Sequence, residues 1–100
     1  MLFHLTMTHS PEHCPARDPE KMKEALTTID KAKSMAEELG IQVHSMVTEV
    51  VGHTVYALLE TDRADALARF AGAIPFPQEV RAVPVEPLQE MAARERAMLQ

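Results

Sequence analysis

From Pro19 to Leu39 the chain places apolar side chains at intervals of three and four: Met22, Ala25, Leu26, Ile29, Ala32, Met35, Ala36 and Leu39. Lysines and acids fill the other side. That is the period of an amphipathic α-helix of about twenty residues. Its ends are marked as well. Asp18 can accept from the free N–H groups of a first turn, Pro19 is pre-set for helical φ, and Gly40 is a natural stop. What lies on either side of this helix decides the fold.

Upstream, residues 2–9 (LFHLTMTH) alternate in the manner of a strand, with Phe3, Leu5 and Met7 on one face and His4, Thr6 and Thr8 on the other. Downstream, IQVHSMVTEVV and HTVYALLE flank Gly52. Both are rich in β-branched residues, and the glycine is expected to take the positive φ of a tight hairpin. With residues 51–53 as the turn, His44 falls opposite Glu60. Thr61 or Asp62 is the predicted cap of a second helix, RADALARFAGA, with Leu67, Phe70, Ala71 and Ile74 as its inner stripe. EVRAVPV reads as a last strand, and Pro84, which lacks an N–H donor, puts it at a sheet edge. Pro87 opens a terminal helix over 87–99.

The order β-α-β-β-α-β is the ferredoxin-like α+β pattern: a four-stranded antiparallel sheet in the order 4-1-3-2, both helices on one face. One domain over 1–100 is expected, with its core in 2–85. Phe3, Leu5, Met7, Val43, Val47, Val55, Ala57 and Leu59 are predicted beneath the helices. The opposite face would carry His4, Thr6, Thr8, His44, Met46, Thr48, Tyr56, Leu58, Glu60 and Arg81, and it is too apolar for a plain solvated surface.

The element order, the size and the opening MLFHLTM resemble the dimeric α/β-barrel superfamily, which includes muconolactone isomerase-like, antibiotic-biosynthesis monooxygenase-like and stress-responsive barrel proteins. The resemblance covers residues 2–85. It implies a homodimer in which two open sheet faces close on each other by twofold symmetry. It implies no reaction, because THSPEHCP matches no catalytic signature of those enzymes.

Charge and composition narrow the classes of partner. The formal net charge is -5, and the ten Lys and Arg are scattered among fifteen acids. Nucleic acid needs a basic face, so none is expected as a partner. No apolar run approaches the roughly 18–20 residues of a membrane span, and the N-terminal segment has no basic secretory n-region. A single cysteine makes no internal disulfide, which points to a reducing, cytoplasmic setting.

Chemistry concentrates in residues 8–19, THSPEHCPARDP, which hold His9, His13 and the single Cys14 among three prolines. In the ferredoxin-like topology this loop, the Glu49–His53 hairpin and the start of the long helix share one end of the sheet. Imidazole and thiolate suit a transition metal such as Zn, Cu or Fe, so His9, His13, Cys14 and His53 are the predicted ligands. Cys14 alone, near an imidazole and a helix start, is also a candidate catalytic nucleophile or redox thiol. A third candidate is His4, His44 and Tyr56. Inside a dimeric barrel they could run cofactor-free acid–base chemistry on a small organic ligand. Against all three stands an interaction module with an inert thiol and hydrogen-bonded interface histidines.

Overall fold

A computed structural model describes residues 1–50 and 52–100. Strand β1 (Leu2–Thr8) leads through two short 3-10 turns, Pro11–His13 and Pro15–Arg17, into helix α1 (Pro19–Glu38). Strands β2 (Gln42–Thr48) and β3 (Thr54–Glu60) form a hairpin, followed by α2 (Ala64–Gly72), β4 (Glu79–Val85) and α3 (Leu88–Met98). The sheet order is β2-β3-β1-β4, antiparallel throughout. This is the ferredoxin-like α+β fold that the sequence predicts, and β4 with Pro84 is an edge strand.

Helix α1 begins and ends as its sequence dictates. Asp18 Oδ1 accepts the Glu20 N–H at 3.0 Å, and Pro19 occupies the first turn. At the other end Gly40 has φ +79°, its N–H donates to Glu37 O at 3.0 Å, and the Ile41 N–H donates to Ala36 O at 2.9 Å. These two bonds are a Schellman motif, with the buried pair Ile41 and Ala36 as its apolar contact. Gly40 thus turns the chain directly into β2. The second helix departs from expectation: its N-cap is Arg63, while Thr61 Oγ1 accepts the Arg63 N–H at 3.2 Å just ahead of it.

The core lies between one sheet face and the two helices: Leu5, Met7, Ala57 and Leu59 meet Ala36, Ala66, Leu67 and Phe70. The buried residues of α1 are alanines, Ala25 and Ala36. Leu26 and Ile29, predicted in the inner stripe, are more than half exposed.

The predicted face assignment fails in β2. Val43 pairs with Leu59, but Ser45 pairs with Leu58, so His44 is the extra residue of a β-bulge. One inserted residue swaps the faces of everything after it. Met46 therefore packs against the core, Thr48 pairs with inward-facing Val55, and Val47, opposite Tyr56, is 58% exposed. The same shift corrects the hairpin register: Glu60 lies opposite Gln42, not His44. The strands stop at Thr48 and restart at Thr54, so the connection is longer than the predicted three residues, of which Val51 lies outside the described ones.

At Gly52 the turn is crowded: a Cβ there would lie 2.6 Å from Glu49 Oε1 and 3.0 Å from Glu49 Cβ. Helix α3 has no buried residue and is tied back by a two-pronged Arg94–Glu86 pair at 2.7 and 2.6 Å. The radius of gyration is 16.0 Å, against about 13 Å for a compact chain of this length.

Candidate metal centre

The end of β1 and the start of β3 are held side by side one rung beyond the last strand pair. Thr8 faces Thr54, and the His9 N–H then donates to His53 O at 3.0 Å. The two imidazoles follow: His53 Nδ1 and His9 Nε2 are 2.9 Å apart, with the rings edge-on. Phe76, from the segment between α2 and β4, sets its ring edge-on against His9 at 5.1 Å between centroids.

Cys14 arrives through the loop. It is the joint between the two 3-10 turns: its N–H donates to Pro11 O at 3.3 Å, and its carbonyl accepts the Arg17 N–H at 3.2 Å. A residue before proline is pushed toward extended φ/ψ, and Cys14, preceding Pro15, sits at φ -66°, ψ 123°. Pro15 is buried and anchors the joint. The result is that His9, Cys14 and His53 each offer one ligand atom within 4.8 Å of the others, all three half-buried. A group this tight could hold a metal ion.

Electrostatics favour a neutral His9. His9 is held below the ordinary imidazole value, first by burial and second by the neighbouring His53. A neutral ring presents a lone pair, which is what coordination requires. His13, the fourth predicted ligand, is not in the group. Its Nδ1 pairs with Ser10 Oγ at 2.9 Å, within its own turn. Glu49, placed by the sequence at the same end of the sheet, instead accepts the Tyr56 hydroxyl at 3.0 Å. Phe76 is the neighbour that sequence reasoning missed; its signal was an aromatic between two prolines in a chain with three phenylalanines.

His4, Tyr56 and His44 all lie on the open sheet face, as two separate groups. His4 and Tyr56 are 6.1 Å apart between ring centroids, inclined at 31°. The Tyr56 hydroxyl is pushed above its ordinary value, first by the hydrogen bond to Glu49 and then by that carboxylate's charge. His44, carried outward by the bulge, meets Glu60 diagonally at 2.7 Å. The expected contact exists although the expected register does not.

Residues 1–99 match the domain of unknown function DUF3303. No curated protein matches the chain. Among solved structures, a dimeric ferredoxin-like protein from an uncultured marine organism shares 15% identity at a TM-score of 0.42, covering 87% of this chain and 96% of that one. An uncharacterized NIPSNAP domain protein from Burkholderia xenovorans shares 15% identity at a TM-score of 0.49, covering 88% and 97%. At these scores neither likeness carries an argument about activity or assembly.

Proposed function

The chain belongs to the DUF3303 family, and we propose that it binds one transition-metal ion through His9, Cys14 and His53. The observation that carries the proposal is the convergence of two imidazole nitrogens and one thiol within 4.8 Å, drawn from three separate stretches of chain. Two nitrogens and one sulfur form a borderline-soft donor set suited to Zn, Cu or Fe. With bond lengths of ~2.05 Å to nitrogen and ~2.3 Å to sulfur, tetrahedral binding needs ~3.3 Å between nitrogens and ~3.6 Å between nitrogen and sulfur. The two rings, now at 2.9 Å, would separate by a few tenths of an ångström as their hydrogen bond is exchanged for metal bonds. The thiol, within 4.8 Å of both nitrogens, would close by about 1.2 Å at most, a movement its loop between two short turns can supply. Three protein ligands leave a fourth position for water or substrate. A reducing cytoplasm, which keeps a lone thiol free, fits this role.

A second proposal concerns assembly. The open sheet face presents Leu58, Val47 and Val83 beside His4 and Tyr56, and among the described residues the helices that pack on the sheet, α1 and α2, pack on its other face. An apolar face of this kind supports a homodimer closed by twofold symmetry.

The test of the metal proposal is elemental analysis of tag-free protein beside Cys14→Ser. Near-stoichiometric metal that falls sharply in the variant is expected. No metal in either sample after reconstitution with Zn, Cu or Fe overturns it.

A further inference from the structure

A cleft of about 440 Å³ runs between α1 and the sheet, within the ~300–1,000 Å³ range of small-molecule sites. Met7, Met46 and Val55 line it from the sheet, and Ala25 and Ala32 from α1. One feature creates the space, and another shapes it. The alanines remove bulk from the buried side of the helix, and the β2 bulge makes the facing wall the long, adaptable side chain of Met46 in place of Val47. Ile29, 64% exposed, stands at the rim, so the cleft communicates with solvent.

Of the polar groups in the lining, Lys33 is exposed at the mouth, and the two threonine hydroxyls are committed elsewhere. The Thr28 hydroxyl donates to Glu24 O at 3.1 Å, and the Thr48 hydroxyl donates to Thr54 O at 3.1 Å. Gln78 differs. Its side-chain Nε2 is buried and has no hydrogen-bond partner, and the residue lines the cleft. A buried amide donor without an acceptor is destabilising, and native proteins rarely keep one without a reason. Phe76 lines the cleft too, and it is the same ring that packs on His9.

We infer that the cleft is a binding site for a small, largely apolar carbonyl compound whose oxygen accepts from the Gln78 side-chain amide once a turn of that side chain brings the buried Nε2 to the cleft wall. The apolar walls supply affinity without orientation. The buried amide donor fixes which end enters and selects an acceptor over a plain hydrocarbon. The inference does not rest on the metal proposal, because none of the metal ligands lines the cleft. If both hold, Phe76 is the partition between the bound molecule and the metal centre.

The experiment is a fluorescence titration of the full chain with the naphthyl ketone prodan, followed by displacement with ethylnaphthalene, which lacks the carbonyl. Saturable one-to-one binding with blue-shifted emission is expected. Thr28→Phe, which fills the cleft, should abolish both prodan binding and ethylnaphthalene displacement. Gln78→Leu should weaken prodan by about three- to tenfold, the equivalent of one hydrogen bond, and leave ethylnaphthalene unchanged. The unliganded Gln78→Leu protein should melt no lower than the parent, since the exchange removes an unsatisfied donor. The inference fails if prodan does not saturate, if Thr28→Phe leaves it bound, if Gln78→Leu weakens ketone and hydrocarbon alike, or if that variant melts lower.

Discussion

Gly40 and Gly72 invite the same substitution and should answer it with opposite signs. An added Cβ meets nothing within 4 Å at either site, so sterics do not separate them. Backbone conformation does. Gly40 sits at φ +79° in the Schellman turn that ends α1, whereas Gly72 is an ordinary residue in the last turn of α2. Gly40→Ala forces an L-residue into the left-handed region, at about 1–2 kcal/mol. Gly72→Ala removes backbone freedom from the unfolded chain and should gain about 0.5–1 kcal/mol. Unfolding entropy near 2.1 cal/mol/K per residue gives about 0.2 kcal/mol/K for 100 residues. Gly40→Ala should therefore lower Tm by about 5–10 °C, and Gly72→Ala should raise it by about 2–5 °C. Calorimetry of the two variants beside the parent, at one protein concentration, measures both. Shifts of the same sign would refute the assignment of the strained position to Gly40.

The bulge at His44 makes a sharper claim about neighbours. Met46→Lys should cost about 2–4 kcal/mol by placing a charge against the core. Val47→Lys should change monomer stability by no more than about 0.5 kcal/mol and should shift light-scattering mass from dimer to monomer; urea melts with the reverse order would show that β2 is not bulged. For pH, the folded-state value of His9 lies below the ordinary 6.5, so the unfolded chain binds more protons in the window between the two. Stability of metal-free protein should therefore rise with pH through that window and level off near 6.5. His9→Gln should flatten the rise in urea midpoints measured with chelator present; an unchanged slope would mean His9 is not the group responsible.

The elements were legible because their signals are local. Asp18-Pro19 and Gly40 bracket α1 as written, and the alternation in residues 2–9 gives β1 its correct faces. The convergence of His9 with His53 followed from topology once β1 and β3 were neighbours. What stayed hidden depends on a single residue of register or a single hydrogen bond. Nothing in QVHSMVT marks where a bulge falls, so Met46 and Val47 were assigned to each other's faces. His13 left the ligand group because Ser10, three residues away, offers a nearer partner. Gln78 gave no sign at all, because an unsatisfied donor is defined by what surrounds it rather than by its own residue type.

Helix α3 has a consequence for how the C-terminus responds to its surroundings. A helix of 11 residues is shorter than the ~12–15 residues at which isolated helices become even marginal in water. With no buried side chain, its order rests on the Glu86–Arg94 fork, in which the guanidinium holds the Glu86 carboxyl below its ordinary value. The arm is therefore a conditional element. Protonating Glu86 loosens its tether, and a docking surface that takes up Leu88 and Met98 would tighten its coil-to-helix balance, so its helicity reports acidity and occupancy while the sheet stays the same.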